Sequence, residues 1–423
     1  MRKHLAALCA IALISGSVMA LDLDLDIGNS TSGYAAQTSM DAFNGSVRDR
    51  LSAVRIGDLF LTGYSSRGRY APLASERAYG AAPSVRAATP RGAYGYEGAP
   101  RRQLECVYTS GFTAWGDVYG AWERQKAKGG GVGYKYRVGG PAIGFDWTSG
   151  GLTLGLATSY NWGTAKNVGG FDKNTRDTRT WGLMAYGQYN ASRWYANATL
   201  GYGQTRFKSS VRDASSFTDR YFNEAPYSGF YTVDLGDRYR NHSWNADAEF
   251  GMKFRFGRGF LLSPSVGLQF FHTRRRGVDE TGALSLETDS PTQNKFTGPV
   301  TLSSGARSYY SLQLPVGVSL AYEIAAGTAL IVPQLRFAWI PELARSQGRA
   351  SGDGVFIPTA TFPPYPTFNY SDHAARRNRN AFRIGTGVQA KLNQYLSLHL
   401  DYDATLRARY YNHNLNLGLG VTF

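Results

Sequence analysis

The sequence predicts an all-β fold, a twelve-stranded antiparallel transmembrane β-barrel of the outer membrane preceded by one amphipathic helix. Three observations carry that prediction. An export signal opens the chain, yet no later run of about 18 apolar residues exists to make a membrane helix. Short segments that alternate apolar and polar residues recur from Phe112 to the end, in a chain with 50 Gly, 28 Tyr and 22 Phe. Finally, the connections between those segments alternate between tight and long, as in barrels with short periplasmic turns and long outer loops.

The signal is residues 1–20, "MRKHLAALCAIALISGSVMA", with Arg2 and Lys3 before an apolar run from Leu5 to Ile14, too short to span a bilayer. Cys9 leaves with it, so Cys106 has no intrachain thiol to pair with and is expected to be inert. Residues 21–33 form a short leader. Over residues 34–56, Met40, Phe43, Val47, Leu51 and Val54 recur at helical spacing, with Asp41, Arg48, Asp49, Arg50 and Arg55 elsewhere. This predicts an amphipathic helix that stops at Gly57. Residues 57–107 are rich in Gly, Ala, Pro and Arg without sustained periodicity and read as a basic linker.

The barrel is assigned to residues 108–423, with twelve strands at about 112–123, 139–147, 151–163, 180–191, 193–207, 241–256, 259–271, 308–323, 327–340, 381–392, 395–408 and 410–423. Each reaches or exceeds the roughly 9–11 residues that cross a bilayer at a tilt. Their pattern is explicit in "SWNADAEFGMKFRF", where Trp244, Phe250, Met252 and Phe254 share one face and Asp247, Glu249, Lys253 and Arg255 the other. A charged face opposite a greasy one fits a wet lumen inside and lipid outside. Tight links follow the even strands, at "TSG", Ser192, "GRG", "AAG" and "NQ". Long ones follow the odd strands, except near "RARYY". Trp147, Trp181, Trp194, Trp244 and Trp339 fall near strand ends, where interfacial girdles belong.

The helix carrying "RDRLSAVR", then "TAWGDVYGAWERQ", "GGPAIGFDW", "LTLGLATSYNWG", "PQLRFAWIPEL" and the closing "NHNLNLGLGVTF" together resemble the translocator barrel of bacterial autotransporters (type V secretion), over residues 34–423. That resemblance implies a helix threaded through the lumen, bearing Met40, Phe43, Val47, Arg48, Arg50 and Leu51. It also implies a closing strand read by the barrel-assembly machinery, with Leu419, Val421 and Phe423 as the signal, and export of an N-terminal passenger. With only Leu21 to Gly33 between signal and helix, little or no passenger is expected. An outer-membrane pore and a loop-mediated surface adhesin are the alternatives.

The net charge of +15 raises nucleic acid as a partner, but export argues against it. Outer-membrane lipid is the better counterpart: Arg274, Arg275, Arg276, Arg376, Arg377 and Arg379 flank outer strand ends and are candidate lipopolysaccharide contacts. The aromatic stretch "DGVFIPTATFPPYPTFNY" either touches a host surface or folds inward over the lumen. The chain carries no nucleophile elbow or zinc signature, and "GGGVGY" lacks the Lys and Ser/Thr of a phosphate loop, so no enzyme and no cofactor are expected. His399, Asp401 and Asp403 share an inward face. They permit acid–base work, although a solvated lumen wall predicts the same residues.

Overall fold

The structure is a computed structural model that describes residues 31–65, 111–127, 133–168, 175–219, 227–257, 259–288, 295–326, 329–346, 349–356, 367–373, 377–393 and 395–423. The signal, most of the leader, Cys106 and residues 66–107 of the expected linker lie outside these residues, as does the central part of the "DGVFIPTATFPPYPTFNY" loop.

One helix, α1 (Ser32–Ser65), precedes the strands. It runs past the Gly57 stop expected from the sequence: a single glycine costs a helix about 1 kcal/mol, too little by itself to end one. The strands are β1 (Gly111–Gln125), β2 (Gly133–Ser149), β3 (Leu152–Val168), β4 (Thr175–Asn190), β5 (Trp194–Asp219), β6 (Tyr227–Met252), β7 (Phe254–Phe256), β8 (Phe260–Arg275), β9 (Val278–Thr288) and β10 (Lys295–Ser304). They continue as β11 (Arg307–Gln313), β12 (Val316–Tyr322), β13 (Ile324–Ala326), β14 (Ala329–Arg345), β15 (Arg349–Phe356), β16 (Thr367–His373), β17 (Asn380–Lys391), β18 (Leu396–Arg407) and β19 (Tyr410–Thr422).

Twelve staves form the wall, because β6 and β7 are one stave interrupted at Lys253, and β11, β12 and β13 are one stave broken at Leu314–Pro315 and Glu323. The first break falls at Pro315, which has no N–H for the ladder, next to a register shift of β11 against β14 between Leu312 and Gln313; the Gly267 N–H donates to the Pro315 carbonyl at 2.8 Å. Neighbouring staves are antiparallel throughout, and β1 closes on β19 in a continuous register from Thr113↔Thr422 to Gln125↔Tyr410. Closure removes the free edges that an open sheet would leave unpaired in lipid.

Two connections expected to be loops contain strands. β9 and β10 form a hairpin that pairs back onto the long outer part of β6, and β15 and β16 add to β10. The 209–240 region, expected as a loop, is largely the continuation of β5 and β6, paired from Trp194↔Met252 to Asp219↔Tyr227. Polar alternation such as "SSVRDASS" carries no lipid-facing signature, since this part of the sheet stands beyond the membrane.

Both faces of the wall follow the pleat. Phe145, Leu154, Leu200, Trp244, Leu335, Phe337 and Leu417 are exposed on the outside, while Asp117, Asp146, Asn161, Asn245 and Asp401 are buried inside. Twelve strands about 4.8 Å apart, tilted by about 40°, make a backbone cylinder about 24 Å across. After side chains on the inner face, that leaves space for about one helix of 10–12 Å diameter.

A lumen closed by its own helix

α1 fills that space. Its polarity follows from its neighbours: Tyr34 stacks on Tyr134 (ring centroids 6.0 Å) and meets Tyr309 edge-on (5.1 Å), both at the outer ends of their strands. Arg50 and Arg55 reach Asp146 and Glu249, which sit near the periplasmic turns. The helix therefore enters at the outer mouth and leaves toward the periplasm, from which β1 begins.

Its sequence suits an all-round fit. Ala35, Ala36, Ser39, Ala42 and Ser46 keep the outer half slim, and both the apolar and the polar sides are buried. The amphipathic pattern thus does not mark a solvent face. The polar side meets a polar wall, where Thr38 donates to Glu123, Ser39 hydrogen-bonds Tyr136 at 2.7 Å, and Asn44 donates to Asp247.

At mid-height the fit is made by shape. Gly182 on β4 and Gly203 on β5 stand directly opposite each other and face inward. A Cβ on Gly182 would lie 3.0 Å from the Phe43 ring, and one on Gly203 would collide with the Met40 sulfur. Met40 and Phe43 therefore seat in a hollow that exists because two glycines lack side chains, and both are buried with Val47 and Leu51.

Toward the periplasm the fit is made by charge. Arg50 forks onto Asp146 with two 2.8 Å bonds, Nε to Oδ2 and Nη2 to Oδ1, the bidentate geometry a guanidinium favours. Asp146 also accepts from Tyr186 at 3.0 Å, whose hydroxyl accepts from Trp115 at 2.7 Å. Opposite, Arg336 on β14 lies 3.5 Å from Asp49 of the helix, 2.6 Å from Asp401 and 3.3 Å from Asp403. Arg55 stands over the Tyr195 ring at 3.9 Å and 3.8 Å from Glu249.

Inward glycines make these reaches possible across a whole strand. Gly385 lies in register between Arg336 and Asp403, Gly387 between Gln334 and Asp401, and Gly418 between Asp117 and His399. A Cβ at any of the three would strike the carboxylate that leans over it. His399 lies 3.4 Å from Asp117, while Asp401 and Asp403 each pair with Arg336. The three residues that share a face do not converge on one acid–base site. Among the described residues, no group of three or more His, Cys, Asp or Glu is arranged to hold a metal.

The outer mouth is closed by Arg377. Its guanidinium lies 4.1 Å over Tyr34 and 4.8 Å over Tyr410, donates to Glu123 and Tyr134, and donates to Gln37 at 3.2 Å. The sequence reading of Arg377 and Arg275 as outward lipid contacts is therefore corrected. Arg275 is buried, donating to Ser304 at 2.8 Å and to the Gly305 carbonyl at 3.0 Å. Consecutive residues of a strand alternate sides, so "RRR" cannot place all three outside. Arg274, Arg276 and Arg379 are exposed, and Arg376 lies outside the described residues.

The helix residues expected in the lumen are all on α1 inside the barrel, with Arg48 half-buried and the others buried. Sequence reading missed Glu123, Tyr134, Tyr186 and the inward glycines. The last were visible as glycines at the inward parity of otherwise well-formed strands, where they weaken pairing and serve close approach instead.

A closed barrel with charged lumen, lipid-facing wall and a helix running through it from the outer mouth defines a translocator-type barrel of the bacterial outer membrane. The Autotransporter beta-domain family profile matches residues 114–403, and the chain belongs to that family. Outer membrane protein A of Rickettsia rickettsii is 23% identical over 302 residues, 69% of this chain and 12% of that protein. Outer membrane protein B of Rickettsia japonica is 22% identical over 324 residues, 72% of this chain and 17% of that protein. The chain thus spans less than a fifth of the length of these relatives. Among solved structures, the translocator domain of the autotransporter NalP from Neisseria meningitidis is similar at TM-score 0.46 and 14% identity, covering 74% of this chain and 89% of that one. The beta domain of the Bordetella autotransporter Brka is similar at TM-score 0.48 and 16% identity, covering 74% and 100%.

Proposed function

We propose that the barrel carries the chain segment preceding α1 to the cell surface, and that α1 then remains in the lumen as its plug. The observation that carries this reading is the polarity of the helix: its N-terminus, Ser32 and Tyr34, lies at the outer mouth beside Tyr134 and Tyr309, so whatever precedes it emerges outside. An eight-stranded barrel fills with its own side chains and a sixteen-stranded one conducts. A twelve-stranded barrel needs an occupant to be closed, and α1 has the girth for it.

The test is topological. Because Ser32 itself is buried, the probe is an epitope tag inserted ahead of Thr31, which is expected to react with its antibody on intact cells. Reaction only after the outer membrane is permeabilised would reverse the polarity and end this reading.

We further propose that the outward Leu419, Val421 and Phe423 of the closing strand are the groups the barrel-assembly machinery reads. The Phe423 N–H donates to Phe112 at 2.8 Å, so this residue also completes the β1–β19 seam. Phe423→Ala is expected to slow insertion in cells while leaving detergent refolding of the purified chain nearly unchanged. Equal loss in both would assign Phe423 to the seam alone.

A further inference from the structure

The outer part of the β4–β5–β6 wall carries a row of like charges, as does the β1–β2–β3 wall with Arg124, Lys135 and Lys166, but only the former stands beside an open concavity lined by further cations. Arg179, Arg206 and Arg240 are directly opposite one another on three adjacent strands, all on the lipid-facing side and all exposed. The row beside it toward the membrane runs Gln204, His242 and Arg274 across β5, β6 and β8. The row beyond it runs Asp177, Lys208 and Arg238, with Asp177 accepting from Thr164 at 3.0 Å. Like charges directly opposite each other destabilise a sheet. Among the described residues none of Arg179, Arg206, Arg240 or Arg274 forms an ion pair that would offset this.

Two further features indicate what the row is for. An open concavity, lined by His242, Arg274, Arg276, Gly277 and Ala306, lies beside it on the same wall. His242 is oriented there by a 2.7 Å contact between its Nδ1 and the Tyr202 hydroxyl. Immediately toward the membrane stands an aromatic girdle: Trp181 and Tyr202 rings are 6.2 Å apart, and Tyr202 and Trp244 rings 4.8 Å. Trp181 follows Arg179 by two residues, about 7 Å along the strand. Rings at the head-group boundary with guanidiniums one step further out match a lipid whose acyl chains lie against Trp and whose phosphates lie above them.

We propose that this wall is a binding site for the phosphate groups of a phosphorylated outer-leaflet glycolipid, with Arg179, Arg206, Arg240 and Arg274 as the contacting cations. The site does not depend on translocation, only on the barrel standing in the outer membrane. It also reassigns the basic excess of the surface: the "RRR" run supplies Arg274, while three arginines distant in sequence supply the rest.

The purified full chain in detergent tests it, with bis-phosphorylated lipid A and its dephosphorylated form as probes and retention read by native mass spectrometry. The variant Arg179→Gln/Arg206→Gln/Arg240→Gln is expected to bind lipid A about a hundred-fold more weakly, at about five-fold per surface cation. The control Arg379→Gln/Arg409→Gln, on the far side of the barrel, is expected to stay within about two-fold of the parent, because charges that far from the row are screened. Dephosphorylated lipid is expected to bind parent and triple variant alike. Equal lipid A binding by parent and triple variant, equal binding of the two lipids by the parent, or an equal loss in the control would overturn the proposal. Displacement by equimolar inorganic phosphate would overturn it too, by assigning the row to free anions. Stability supplies an independent readout: Arg206→Gln is expected to raise the melting temperature without lipid, by relieving repulsion, and to reduce the gain when lipid A is added. A lower melting temperature without lipid would contradict the like-charge argument.

Discussion

From Tyr34 to Val47 the helix meets the wall with rings, a thioether and small side chains, seated where Gly182 and Gly203 make room. From Asp49 to Arg55 it meets the same wall with guanidiniums and carboxylates: Arg50 on Asp146, Asp49 on Arg336, Arg55 on Glu249. The outer half is therefore fixed by shape together with hydrogen bonds from its neutral side chains Thr38, Ser39 and Asn44, and the periplasmic half by ion pairs. Shape contacts are short-ranged and indifferent to salt, whereas buried ion pairs are costly to break from one side because the abandoned partner remains desolvated. A plug held in this way resists sliding at mid-height and resists rotation below, since only one helical azimuth brings Asp49 and Arg50 to opposite walls at once.

The largest effect is expected from Asp146→Ala. It strands Arg50 and removes the acceptor of Tyr186, costing about 3–5 kcal/mol of helix docking. Amide exchange of residues 49–55 should accelerate, while the outer half of the helix keeps its protection. Uniform acceleration along the helix would show that the two halves are not separable. Next comes Gly203→Leu, which drives a side chain into the Met40 seat and costs about 1–3 kcal/mol by overpacking. Here the pattern should reverse, with exchange rising over residues 36–47. Arg377→Ala opens the outer mouth and leaves Glu123 with Thr38 and Tyr134 as donors, for about 1–3 kcal/mol. Its signature is reactivity of a cysteine at Gln37 toward an impermeant reagent on intact cells. The smallest effect is expected from Arg55→Gln, about 1 kcal/mol, since the loss is one 3.8 Å pair and one ring contact.

The wall was legible before the structure because period-two alternation is a local property of each strand. "SWNADAEFGMKFRF" places Trp244 outside and Asp247 inside with no knowledge of its neighbours. Strand ends beyond the membrane were not, because past Ser209 on β5 nothing forces one face to be greasy. The lumen was legible only as a list of inward charges. Which acid meets which base depends on register between strands distant in sequence, and on glycines such as Gly385 and Gly418 that let a side chain cross over its neighbour. Arg377 was misplaced for a related reason: its partners Tyr34, Glu123, Tyr134 and Tyr410 come from four separate parts of the chain, and none of them is implied by "RRNR".

The central claim is that α1 occludes the lumen, and planar-bilayer conductance of the purified full chain measures that most directly. The account predicts a small conductance for the intact chain, in low and high salt alike, and a several-fold larger one when residues 32–65 are removed and the barrel still migrates as folded. A large steady conductance in the intact chain, unchanged by removal of the helix, would contradict it.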